Sequence, residues 1–122
     1  MPPAKIHLGV AFYGRSFGDV APQRDGLLQT FGSDGGFISW RDIANTRLGN
    51  KAWTRQWDAS AQAPTLWNAS THQFISYDDP QSLRAKIDYV RAKGLGGVMY
   101  WEYRQDRDEA LLDVLVEGRN SR

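Results

Sequence analysis

"GLGGVMYWEY", residues 94–103, sets glycines in front of a short apolar run, and the run ends in rings on either side of a carboxylate. Val98 to Trp101 has the β-branched and aromatic content of a strand. A buried strand normally runs out into turn residues, not into Tyr100-Trp101-Glu102-Tyr103. The rings therefore have two readings: they belong to a core, or they form a floor on which something flat can lie.

Just upstream, Asp79-Pro80 is a helix start, because Asp caps free amides and Pro fits the first turn. Leu83, Ile87 and Val90 follow at helical spacing, and Gly94 ends the helix after Lys93. Downstream, a last helix over residues 109–117 turns Leu111, Leu112 and Leu115 inward. Asp106-Arg107-Asp108-Glu109 read as its dipole-favoured start. At the other end of the chain, "KIHLGVAFYG" (residues 5–14) is apolar without alternation, which suits a strand covered on both faces, as in a parallel sheet. The two ends together make a β-α-β unit, with a long insertion after its first strand.

The middle of the chain is of another kind. "TLWN" and "QFISY" flank "ASTH" as a hairpin, and "WTRQWDA" places Trp53, Arg55 and Trp57 on one face of an extended segment. "SDGGFISWRDIANTRLGN" reads as a glycine-marked loop and a short helix, with Ser39 as N-cap, Ile43 and Leu48 buried and Gly49 the stop. Of the three tryptophans Trp53, Trp57 and Trp67, at least two are expected in the core. Asn68-Ala69-Ser70 matches a glycosylation sequon, and Asn in a hairpin turn explains it as well.

Length and composition narrow the classes. A chain of 122 residues with 41% hydrophobic and 24% charged residues is one globular unit's worth of sequence. A net charge of +1, with both signs interspersed, makes no basic stripe for nucleic acid. No apolar run approaches membrane-spanning length, and residues 1–5 lack the apolar stretch of a signal peptide, which leaves a secreted parent open. The absence of Cys removes disulfides, thiolate metal sites and Cys nucleophiles, and His7 and His72 alone do not make a metal site. Five Trp is several times the usual share, and Trp suits sugars and flat ligands as well as cores.

Several of these segments, "KIHLGVAFYGRSF", "WDASAQAPTLWN" and "FISYDDPQSLRAKIDYVRAKGLGGVMYWEY", resemble in order and spacing the C-terminal third of family 18 glycoside hydrolases, the chitinases. The resemblance runs from Lys5 to about Leu115. It implies an α+β chain: an antiparallel-sheet insertion domain with a short helix over residues 17–78, flanked by pieces of a (β/α)8 barrel. Residues 1–16 would supply the seventh strand, and residues 79–122 the seventh helix, eighth strand and eighth helix. It further implies a cis Trp101–Glu102 peptide, Trp101 as the apolar floor under the sugar at the scissile bond, and polar contacts from Tyr13 and Arg15. No metal or cofactor is needed. The partners implied are chitin or chito-oligosaccharides and the remainder of the barrel.

The family's chemistry is acid-catalysed and substrate-assisted. No Asp in this chain has the D-x-x-D-x-D-x-E spacing that supplies the acid, so no residue here is assigned a catalytic role. A whole barrel also needs about 250 residues. The expected function is the substrate-cleft portion of an extracellular chitinase cleaving β-1,4-N-acetylglucosamine polymers, inactive by itself. The alternatives are a non-catalytic chito-oligosaccharide-binding module and a purely structural fragment. The resemblance also puts Asp34 near an acidic position that reaches the cleft from the insertion, and lets Glu102 either touch substrate or anchor Arg15. Other site residues keep a second reading: burial at a strand end for Trp101, an ion pair for Arg15 and a turn carboxylate for Asp34. Lone barrel strands expose edges and apolar faces, so the isolated chain is expected to self-associate.

Overall fold

The computed structural model describes residues 1–120. Its strands are β1 (His7–Ala11), β2 (Tyr13–Gly18), β3 (Ser33–Ser39), β4 (Thr54–Asp58), β5 (Ala63–Asn68), β6 (Gln73–Tyr77) and β7 (Gly97–Trp101). Its helices are α1 (Trp40–Thr46), α2 (Pro80–Ala92) and α3 (Ala110–Asn120). Two sheets result. β1 and β7 pair in parallel, and the other five strands form an antiparallel sheet in the order β3-β2-β6-β5-β4.

Local chemistry explains most of these elements. The Ser39 hydroxyl accepts the Asp42 amide at 3.0 Å and starts α1. Asp79 and Ser82 form a reciprocal capping box at the head of α2, with both bonds at 2.9 Å. The Asn68 carboxamide oxygen accepts the Ser70 and Thr71 amides across the β5–β6 turn. With Asn68 only 6% exposed, this is the turn reading of the sequon. Asp106 is buried, and its carboxylate accepts the amides of Leu111 and Leu112 in the first turn of α3.

Two readings of the sequence need correction. The residues 5–14 run is not one strand: β1 ends at Ala11, and Tyr13 opens β2, paired with β3 and β6. The "SDGGFIS" stretch is not a loop but β3. Glycine is a poor strand former, which hid it, yet pairing with β2 holds it there, with a register shift between Ser16 and Phe17.

Phe12 is the joint between the sheets. Its amide donates to the Trp101 carbonyl at 2.8 Å, and its carbonyl accepts the Trp40 amide at 2.9 Å. The side chain is fully buried and stacks on Tyr100 at 4.8 Å between centroids. Around it one core runs from Val10 through Ile43, Leu66, Ile75 and Leu83 to Leu111 and Leu115, joining both sheets and all three helices. Gly14 lets β2 lie flat on this core, because a Cβ there would stand 2.7 Å from Tyr77 Cβ. A second cluster holds Val20, Trp67 and Phe74, with Trp67 stacked on His72. Trp53 packs against the first core, so two of the three tryptophans are core residues, as expected.

The parallel pair has one covered face and one open face. Val98 and Tyr100 point to the core, whereas Met99 and Trp101 alternate outward, 54% and 64% exposed. Neither β1 nor β7 has a second strand neighbour among the described residues. Between α2, α3 and β7 lies a groove of about 650 Å³ lined by Val90, Leu95, Tyr100, Leu112 and Val116.

Beneath α1, Tyr77 stacks on Trp40 and is buried, and its hydroxyl lacks a hydrogen-bond partner among the described residues. Burial first, then the Asp79 charge, pushes its pKa up to about 12; the Arg55 guanidinium acts against this without reaching hydrogen-bond geometry. The folded state thus holds this proton above pH 10, where the unfolded tyrosine releases it, and stability falls as pH rises from 10 to 12. The loss is about 1.4 kcal/mol at pH 11. Tyr77→Phe is expected to be neutral, or up to about 1 kcal/mol more stable, at pH 7 and to lack this part of the alkaline loss. Urea midpoints at pH 7 and pH 11 measure both; a clear destabilisation of Tyr77→Phe at pH 7 would mean that the hydroxyl is satisfied after all.

Candidate functional site: an aromatic and ion-paired face

The C-terminal end of β7 and the start of β2 meet at one place. Ala11 is in register with Trp101, and the chain passes through Phe12 directly into Tyr13. Trp101 is thus held by its backbone while its indole stands in solvent. The Trp101–Glu102 peptide is cis, as the resemblance implies.

On β2, Tyr13, Arg15 and Phe17 alternate onto one face, and β3 brings Asp34 and Phe37 to the same face. Arg15 Nη2 donates to Asp34 Oδ2 at 2.5 Å, between side chains 41% and 50% exposed. The Gly36 amide donates to Asp34 Oδ1 at 2.8 Å. That amide first, and the Arg15 hydrogen bond and charge beside it, hold the Asp34 carboxyl below its ordinary range, so it is ionised near neutrality. One oxygen of Asp34 serves the turn, the second of its readings, and the other pairs with Arg15. The ion pair read for Arg15 is present too, and its charge remains at the surface.

Phe37 was invisible in the sequence, hidden in what read as a loop. Its ring is 66% exposed, yet it is held: Tyr13 meets it at 90° with centroids 5.3 Å apart, and the Arg15 guanidinium carbon lies 4.6 Å from its centroid. Asp34 and Phe37 are three residues apart, which simple alternation puts on opposite faces; the register shift between Ser16 and Phe17 brings them together, and the sequence carries no signal for it.

Glu102 departs from one of its two readings. Arg15 is anchored by Asp34, not by Glu102, whose carboxylate turns to the Gln105 backbone while its own amide donates to Gln105 Oε1 at 3.2 Å. Beyond it, Tyr103 donates its hydroxyl to Glu109 Oε1 at 2.7 Å, and that bond raises the tyrosine's pKa. No group of three or more metal-ligating side chains occurs among the described residues. The site therefore offers flat apolar surface, one buttressed cation and one ionised carboxylate. Such a set grips a ring with an apolar face and polar edges.

The chain is similar in sequence and fold to known proteins. The family model for glycosyl hydrolases family 18 matches residues 1–106. Chitinase A1 of Niallia circulans is 38% identical over 122 residues, covering 94% of this chain and 18% of that protein. A family 18 N-acetylglucosaminidase from Paenibacillus barengoltzii superposes with a TM-score of 0.91 at 42% identity, over 97% of this chain and 34% of that one. A mutant family 18 chitinase from Cycas revoluta, in complex with (GlcNAc)4, superposes with a TM-score of 0.87 at 26% identity, over 98% of this chain and 35% of that one. The chain thus spans about a third or less of the length of these relatives. With the matched segment covering most of its residues, the chain belongs to the glycosyl hydrolases of family 18.

Proposed function

We propose that this chain is the substrate-cleft portion of a chitinase, supplying the floor and one wall over which a β-1,4-N-acetylglucosamine chain lies. In this reading β1, α2, β7 and α3 are the seventh strand, seventh helix, eighth strand and eighth helix of a (β/α)8 barrel, and the antiparallel sheet is the insertion between them. The observation that carries it is Trp101, a backbone-anchored indole left 64% exposed at the end of β7. A pyranose presents an apolar face of C–H groups, and a flat indole buries it well. Tyr13, Arg15 and Asp34 border that floor with hydrogen-bonding groups suited to sugar hydroxyls and an N-acetyl carbonyl. Glu102, turned to Gln105, contributes through the strand end rather than through Arg15.

The acid of the hydrolytic step belongs to a motif this sequence does not contain, so the chain alone binds and does not cleave. The 122-residue chain is too short to close a barrel around its open face. Chitin is too large to cross a membrane, which supports an extracellular parent.

A tryptophan-fluorescence titration with chitohexaose, against cellohexaose as control, tests the reading. A saturable change with chitohexaose alone is expected, at millimolar or better affinity, because only that ligand carries N-acetyl groups. Light scattering on the same samples is expected to show a dimer or larger species, since the open face with Met99 and the free strand edges favour contact between copies. No response to either sugar would leave the chain a structural piece of its parent. An equal response to both would reduce the site to a non-selective aromatic surface.

A further inference from the structure

The parallel pair is unfinished on both flanks. Among the described residues β1 and β7 bond only to each other, so each copy carries two free strand edges, on opposite sides of a two-stranded sheet. Free edges pair with other chains unless charge or proline blunts them. Neither "HLGVA" nor "GVMYW" contains Asp, Glu, Lys, Arg or Pro. The two strands are equal in length and in register from His7 and Gly97 to Ala11 and Trp101. Setting the β7 edge of one copy against the β1 edge of the next therefore continues the same parallel pairing. Such a contact joins two different patches, and it builds either a closed ring or an open filament.

The open face decides between ring and filament. On that face Gly9 and Ala11 of β1 stand in register with Met99 and Trp101 of β7, so small residues lie beside large ones. A barrel of eight parallel strands is filled in this way, by layers of four side chains taken from alternate strands. With β1 offering almost no side chain, Met99 from four copies has room to share one layer. The helices follow the same count. α2 covers the crossover from β1 to β7, and α3 follows β7 with Val116 left 49% exposed. Resting on the barrel-segment reading given above, we infer that the partner of each free edge is a second copy of this chain, and that four copies close head to tail into one eight-stranded barrel. In that ring α3 of one copy lies over β1 of the next, and Met99 points into the lumen.

Light scattering and native mass spectrometry of the full chain test the count. A species of four times the chain mass is expected, without a stable dimer or a larger series. Met99→Glu sets four carboxylates in one lumen layer and is expected to give a monomer. Its side chain stands on the open face, 54% exposed, so circular dichroism is expected to keep its wild-type form. The polarity of the contact is read by cross-linking, because the chain has no cysteine of its own. Gly9→Cys is tolerated, since a Cβ there meets only Met99 Cε at 3.6 Å, an ordinary contact. A mixture of Gly9→Cys and Met99→Cys chains is expected to form a disulfide dimer under mild oxidation, and each variant alone almost none. A wild-type monomer, a dimer as end state, an open-ended series or a tetrameric Met99→Glu chain would overturn the ring. So would Met99→Cys chains that cross-link to one another as readily as the mixture, the mark of antiparallel pairing. Chitohexaose titration of Met99→Glu keeps the two readings apart. Binding there with no tetramer in the wild type would sink the ring and keep the cleft, whereas a wild-type tetramer with no binding would do the reverse.

Discussion

Phe12→Ala is expected to lose about 3–5 kcal/mol of stability, enough to unfold much of the chain at ambient temperature. The physical argument is local. The side chain is fully buried and stacked on Tyr100, and it sits where the parallel pair, the antiparallel sheet and α1 converge. Truncation leaves a cavity at a place where neighbours cannot collapse freely, because the flanking backbone is bonded to Trp101 on one side and Trp40 on the other. Those two backbone bonds survive the substitution, so the loss measures packing alone. Phe12→Leu keeps most of the volume and is expected to cost about 1.5 kcal/mol or less. Urea denaturation of the pair, or thermal melts if Phe12→Ala does not fold, makes the comparison. A cost below about 1.5 kcal/mol for the alanine variant would show that the two sheets hold together without this joint.

The second large effect concerns binding. Trp101→Ala is expected to reduce chitohexaose affinity by roughly a hundredfold. Covering most of an exposed indole removes on the order of 100 Å² of apolar surface from water, worth about 2.5–3 kcal/mol. Stability should move by less than about 1 kcal/mol, because the ring fills no cavity and its carbonyl bond to the Phe12 amide remains. Trp101→Phe, still flat and apolar, should retain much of the affinity. Calorimetry is the suitable readout, since the substitution removes a fluorophore as well as a contact. Wild-type affinity in Trp101→Ala would reject the indole as the sugar floor and return Trp101 to an ordinary exposed strand end.

These two residues also mark how far the sequence could be read. Trp101 was legible because the strand around it is short and bounded by Gly97 on one side and by rings on the other. Its role came from the resemblance, and the cis peptide with it. Phe12 was legible only as one apolar residue in a run. That the chain turns there from one sheet into another depends on which strands offer their backbone groups on either side. Those strands, β3, β6 and β7, lie well over a dozen residues away.

Local signals were reliable for the same reason that distant ones were not. Ser39 and Asp79 act on amides three residues on, Asn68 on a turn two and three residues on, and Leu83, Ile87 and Val90 on one helical face. Each of these is decided within a few residues, so the sequence by itself determined α1, α2 and the β5–β6 hairpin. It also determined the antiparallel character of the middle and the absence of the family's acid motif.

Only the tertiary structure decided where β1 ends, that "SDGGFIS" is a strand, that Arg15 is anchored by Asp34 rather than by Glu102, and that Phe37 stands braced beside them. In each case the deciding partner is remote: β3 against β2, or a carboxylate 19 residues from its guanidinium. Strand propensity is weak beside the pairing and burial that a neighbouring strand supplies. A glycine-rich stretch therefore becomes a strand once β2 lies next to it, and a phenylalanine hidden in that stretch comes to stand against Tyr13 and Arg15.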